Sequence, residues 1–185
     1  MHRHATVFLC TAAVAALAAC APAPVERDTP PPSVSAARAT ANLAPASASL
    51  VSGTLTLTTM GDGVHVGGEI GGLPPGAHGF HVHEHGDCSA ADASSAGGHF
   101  NPTNNPHGRA GAGAHHLGDS DNIVANADGV AVVDAHLHDV TLGTGLANDI
   151  AGRAIIVHAD PDDYTSQPSG DAGARVACGV IAVIR

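Results

Sequence analysis

From Leu50 onward, apolar and polar positions alternate in short runs separated by Gly, Asp and Pro. Leu55-Thr56-Leu57-Thr58 has the period of two that places every second side chain on one strand face. Gly61-Asp62-Gly63 reads as a hairpin turn, answered by Val64-His65-Val66. Leu73-Pro74-Pro75-Gly76 is a second turn. Asn126-Ala127-Asp128-Gly129 is a third, between strands predicted over 122–125 and 130–133. Ile155-Ile156-Val157-His158 and the run from Val180 to Ile184 complete the set. No stretch of this region offers a capped amphipathic helix. Many short strands with frequent turns predict an all-β fold, an antiparallel sandwich or barrel. Two segments, 89–120 and 159–177, carry no strand pattern. Loops of that length inside a compact domain need a functional or structural reason.

The first part of the chain has another texture. Met1-His2-Arg3-His4 is a short basic start. Ala5 to Ala19 is apolar and rich in small residues, too short to span a bilayer but right for the core of an export signal. It ends in Leu17-Ala18-Ala19-Cys20, which resembles the bacterial lipobox, where the cysteine is lipidated and becomes the new N-terminus. Residues 1–19 are thus read as a lipoprotein-type signal. Residues 20–48 are read as lipidated Cys20 and a disordered tether rich in Ala, Pro and Ser, leaving 49–185 as the domain. Ala21 after the cysteine implies outer-membrane retention, so the expected location is the periplasm and cell envelope. Cys10 leaves with the signal and Cys20 takes lipid. Cys88 and Cys178 remain, and two leftover cysteines in an exported protein read as a disulfide.

Charge excludes some partners. The formal net charge is -10, from 17 acids against 7 bases, every base an arginine. Such a chain has little to offer nucleic acid or an anionic lipid surface, which leaves the N-terminal lipid as the expected membrane contact. The 14 histidines point to metal chemistry instead.

The richest stretch is Gly79-Phe80-His81-Val82-His83-Glu84-His85-Gly86-Asp87-Cys88. On a strand, His81 and His83 share one face while Phe80 and Val82 take the other. Two imidazoles converging from a strand make half of a transition-metal site. The loop that follows supplies His99, His107, His115, His116 and Asp119, and three His with one Asp suit tetrahedral zinc. His158, at the end of another strand, could approach the His81/His83 face across a barrel.

Four motifs then occur in order: Gly79-Phe80-His81-Val82-His83-Glu84, Gly98-His99-Phe100-Asn101-Pro102, His116-Leu117-Gly118-Asp119 and Gly173-Ala174-Arg175-Val176-Ala177-Cys178-Gly179-Val180-Ile181. Together they resemble the Cu/Zn superoxide dismutases over essentially Leu50 to Arg185. The resemblance implies an eight-stranded antiparallel Greek-key β-barrel with two long functional loops. It implies one copper per subunit on His81, His83, His99 and His158, and one zinc on His99, His107, His116 and Asp119, with His99 shared. Asp162 matches a carboxylate that orients His81 and His107, and Arg175 matches the arginine beside copper. Cys88 and Cys178 match the family disulfide, and a homodimer is possible. The implied activity converts superoxide to O2 and H2O2 by alternate reduction and oxidation of copper. The other reading is a copper and zinc buffer or delivery protein on the same fold.

His65, His78, His85, His136 and His138 match no ligand position and read as surface or loop histidines, and His115 yields to His116 on spacing. One departure stands out. Family members often place lysines around the copper channel, and this chain has none. Asp160, Asp162, Asp163 and Asp171 lie between His158 and Arg175 with no other base. Weak attractive steering of superoxide is therefore expected, with Arg109, Arg153 and Arg175 as the candidates.

Overall fold

The computed structural model of the chain describes residues 37–184. The described residues form β1 (Arg38–Pro45), β2 (Ser52–Met60), β3 (Gly63–Gly71), β4 (Gly76–His78), β5 (Phe80–His83), β6 (Ile123–Ala125), β7 (Ala131–His138), β8 (Ala154–His158) and β9 (Arg175–Ile184). The only helical piece among them is a short 3-10 turn at Ser94–Ala96. Neighbouring strands are antiparallel in the order β4-β6-β7-β3-β2-β1-β9-β8-β5.

β4 and β5 sit at opposite ends of that order, yet only Gly79 separates them in sequence. The sheet therefore curls on itself into a nearly closed barrel, and the expectation of eight strands is corrected to nine. The break has a local cause. Gly79 donates its N–H to Asp160 O and accepts from His158 N–H, both at 2.9 Å, so its backbone bonds to the segment at the end of β8. A Cβ on Gly79 would stand 2.8 Å from Cβ of Ala172 and 3.1 Å from the ring of His81, so the crossing admits no side chain.

β1 is the second correction. It falls inside the segment expected to be a tether, yet it lies between β2 and β9 in the middle of the sheet. Ala39, Ala41 and Leu43 face the core, and Arg38, Asn42 and Ala44 face out. The alternation is genuine but is written in alanine and threonine, which offer little contrast in hydrophobicity. The domain thus includes at least 38–48. Two element ends also move. β7 extends past Val133 to His138, and β9 begins at Arg175, which shortens the second long loop. The signal and lipidation readings for residues 1–19 and Cys20 lie outside the described residues.

The main core fills the barrel with Leu43, Leu55, Leu57, Val64, Val66, Ile70, Phe80, Val82, Phe100, Leu137, Ile155, Val157 and Ile181, among others. Each large side chain of this kind contributes roughly 1.5–3 kcal/mol on burial. A smaller cluster of Ala46, Ala93, Ala96, Ala154, Ile156 and Cys178 lies against Cys88. β8 serves both: Ile155 and Val157 face the barrel, while Ala154 and Ile156 face the smaller cluster. This division places His158 on the side away from the main core.

Candidate metal centre

β5 is buried on both faces. Phe80 and Val82 pack in the core, so His81 and His83 project from the outer wall. β8 is the neighbour of β5, and His158 N–H bonds Gly79 O beside it. His99 arrives from the first long loop through an isolated antiparallel bridge with His83. The rings of His81 and His99 lie 4.0 Å apart between centroids, those of His83 and His99 5.0 Å, and those of His81 and His158 5.0 Å. One donor nitrogen from each of His81, His83, His99 and His158 lies within 4.8 Å of all the others.

A second group of donors adjoins the first: His99, His107, His116 and Asp119, again within 4.8 Å of one another. Asp119 Oδ1 stands 2.7 Å from His99 Nδ1, 3.1 Å from His107 Nδ1 and 3.3 Å from His116 Nδ1. Its other oxygen accepts backbone N–H groups of His116 (2.9 Å) and Gly108 (3.2 Å), which folds the loop around it. His115 is not brought in: it is half-buried and its ring bonds Gly113 O instead. Gly118 threads between Val82 and Phe100 and exchanges backbone bonds with both.

The nitrogen inventory tests whether metal ions suit these clusters. His81 Nε2 donates to Asp162 Oδ2 at 2.8 Å, His83 Nδ1 to Gly97 O at 2.9 Å, and His107 Nε2 to Asp162 Oδ1 at 3.0 Å. The opposite ring nitrogens, His81 Nδ1, His83 Nε2 and His107 Nδ1, are buried without a hydrogen-bond partner. So are His99 Nε2, His116 Nδ1 and His158 Nε2. Buried polar atoms are rarely left unpaired. Six of them aimed into two small volumes fit cations bound through neutral imidazole, with the far nitrogens fixing tautomer and ring orientation. His99 belongs to both clusters, one nitrogen to each.

Electrostatics follow the burial. Burial above all pushes His83 well below the ordinary histidine value, His99 down to about 4 against the opposing pull of Asp119, and His158 down to about 3. These rings stay neutral and available as ligands at neutral pH. Burial acts the same way on His107, but Asp119 and Asp162 overcome it and raise the ring to about 9. Asp119 and Asp162 both end well below the usual carboxylate range: burial pushes them up, and the surrounding imidazoles outweigh it.

The second long loop holds the frame. Asp162 is fully buried between His81 and His107. Its backbone N–H donates to Asn122 Oδ1, and Asn122 Nδ2 donates back to Asp162 O, both at 2.8 Å. Gln167 grips His107 in the same reciprocal way, accepting its N–H and donating to its carbonyl, both at 2.9 Å. Asn122 and Gln167 were not expected from the sequence, because a side chain bonded to backbone has no periodic pattern. His78, expected at the surface, is buried between the carbonyls of His158 (3.0 Å) and Pro74 (2.8 Å), so it braces the β8 end.

A pocket opens onto the site, lined by His83, His99, His158 and Arg175 and rimmed by Pro168 and Gly173. Arg175 Nη1 donates to Ala93 O at 2.7 Å and Nη2 to Gly97 O at 2.6 Å. A guanidinium has five N–H donors, so three remain. Cys88 and Cys178 form a disulfide with Cα atoms 5.8 Å apart, closing a separation of 90 residues. A loop of that size stabilises by about 4–5 kcal/mol in the chain-entropy model. It also anchors the segment carrying the two carbonyls that seat Arg175. Arg109 and Arg153 do not line the pocket. Arg109 pairs with Asp121 at 2.8 Å, and Arg153 bonds Glu84 O and Asp149 O with its guanidinium 3.6 Å over the Phe100 ring.

A nearly closed antiparallel barrel with two donor clusters on one common imidazole defines a class: proteins built to hold two transition-metal ions side by side. Residues 51–181 match the family described as copper/zinc superoxide dismutase (SODC), and the chain belongs to that family. Over 143 residues it is 43% identical to an extracellular superoxide dismutase [Cu-Zn] from Brugia pahangi, covering 72% of this chain and 70% of that one. Among solved structures, a double mutant of a SOD-like protein from Bacillus subtilis is similar at TM-score 0.71 and 36% identity, over 77% of this chain and 96% of that chain. The clock protein EA4 is similar at TM-score 0.72 and 39% identity, over 81% of this chain and 96% of that chain.

Proposed function

We propose that the protein is a superoxide dismutase, with copper on His81, His83, His99 and His158 and zinc on His99, His107, His116 and Asp119. The observation that carries this reading is His99, common to both clusters at the floor of a pocket walled by Arg175. When bound, copper supplies one-electron redox chemistry, and zinc, which has none, supplies fixed positive charge. The chain's own groups do the rest. Arg175 offers its free N–H groups to a small anion entering the pocket. His99 Nε2 takes up and returns a proton, while Asp119 on the far side holds the ring in place. Asp162 fixes the orientation of His81 and His107 together. Two superoxide ions and two protons become O2 and H2O2.

A buffer or delivery protein on the same fold would need neither a guanidinium on the pocket wall nor a shared imidazole. The discriminating experiment is pulse-radiolysis decay of superoxide with protein loaded with copper and zinc. An enzyme consumes many equivalents per copper, whereas a buffer consumes about one.

The relative from Brugia pahangi is named as extracellular, which supports export of this chain. We place it in the cell envelope, held at the outer membrane through lipidated Cys20. Cys20→Ser would move it from the membrane fraction to the soluble one. Exposed Val180 and Ile184, four apart and so on one face of β9, give a homodimer an apolar patch, which sedimentation would test.

A further inference from the structure

Away from the central site, another histidine cluster lies on the outer face of the barrel. His136 and His138 stand two apart on β7, both outward, while Leu137 between them is buried in the core. Asp62 comes from the turn between β2 and β3. The pairing of Gly63 with His138 brings that turn beside β7, and Asp139 N–H donates to Asp62 O at 2.9 Å to hold it there. One donor atom from each of Asp62, His136 and His138 lies within 4.8 Å of the other two.

The contacts within this trio are unequal. Asp62 Oδ2 accepts a hydrogen bond from His138 Nδ1 at 3.1 Å. Asp62 Oδ1 lies 2.9 Å from His136 Nε2, yet that nitrogen is buried and makes no hydrogen bond. His107 and His116 stand in the same relation to Asp119: a short N···O approach in which the nitrogen is buried and unpaired. An unpaired buried nitrogen costs free energy that a cation between it and the carboxylate would recover. His65, opposite His136 in the β3–β7 register, turns instead to Asp134 at 2.7 Å and leaves the trio to itself.

We propose that Asp62, His136 and His138 form a third, peripheral site for a divalent transition ion of the Zn2+ or Cu2+ type. Two imidazoles and one carboxylate are the donor set such ions take, and water completes the coordination. The side chains of Asp62 and His138 are 69% and 50% exposed, so the ion enters from solvent and exchanges more readily than at the buried centre. The chemistry is binding without catalysis: the trio holds an ion at the surface, independent of the central clusters.

The test uses the protein loaded with copper and zinc, dialysed against Zn2+ and counted by elemental analysis. The parent retains one zinc per chain beyond the central metals. His136→Ala, His138→Ala and Asp62→Asn each lose that equivalent and keep the central ones, and Asp62→Asn does so without removing side-chain volume. His85→Ala, which removes an exposed histidine elsewhere, retains it. Added Zn2+ raises the unfolding temperature of the parent but not of the three variants. A parent with no further zinc, or a further zinc that survives His136→Ala and His138→Ala, overturns the proposal. The count does not use dismutase activity, so it is read separately from the proposed enzymatic function.

Discussion

Asp162 stands 2.8 Å from Nε2 of His81, fully buried, and so fixes which nitrogen of that ring faces the site. The same carboxylate reaches His107 with its other oxygen, so one side chain orients a donor in each cluster. Asp162→Asn keeps the shape but loses one acceptor and the negative charge. Zinc affinity is expected to fall about 10–100-fold, the usual effect of losing a partner that orients a ligand. Competition with a chromophoric chelator measures it, and unchanged affinity would show that the loop positions His107 without Asp162.

Gly170 tests the same support from the backbone side. Its φ is +68°, and a Cβ there would collide with Asp162 Oδ1 and stand 2.8 Å from His107 Nε2. Gly170→Ala is expected to lower zinc retention with little change in the barrel, because the collision is confined to the loop. Zinc content and far-UV circular dichroism, read together, check this. Full retention would mean that the loop yields without moving Asp162.

The metal-free protein should have a stability maximum near pH 6.5. His99 and His158 are depressed to about 4 and about 3, so the unfolded chain takes protons at pH values where the folded one does not. Their contribution is complete above the unfolded value of 6.5 and is lost as pH falls toward 4. His107, raised to about 9, has the opposite sign: its contribution is complete below 6.5 and is lost as pH rises through 9. Thermal unfolding of the chelator-treated protein across pH 4 to 9 measures both limbs. A midpoint that rises steadily on acidification would contradict the neutral state of His99 and His158.

Much of the donor cluster is legible in the chain because its donor side chains sit on short motifs at fixed spacing. His81 and His83 need only a strand, and His116 and Asp119 need only a turn. The ninth strand is not legible, because the break at Gly79 rests on backbone bonds to Asp160 and His158 that no local pattern records. β1 is not legible because Ala39 and Ala41 are buried yet barely apolar in pattern. The grip of Gln167 on His107 spans 60 residues and joins two loops, so only the folded chain reveals it.

Charge around the pocket makes a kinetic claim. Arg175 is the only arginine among the described residues that line it, Arg109 and Arg153 are engaged elsewhere, and Asp160, Asp163 and Asp171 are exposed on the adjacent loop. Attraction of superoxide should therefore be weak, and kcat/KM should change little as ionic strength rises to physiological values. A steep fall with added salt would demonstrate strong attractive steering and contradict this reading.

The central claim is that His99 serves both clusters at once. The measurement that tests it most directly is His99→Ala, reconstituted with copper and zinc and assayed for both metals and superoxide decay. Weakened zinc binding, altered copper coordination in the electron paramagnetic resonance spectrum, and loss of most dismutase activity are expected. A variant with both metals bound as in the parent and full activity would contradict it.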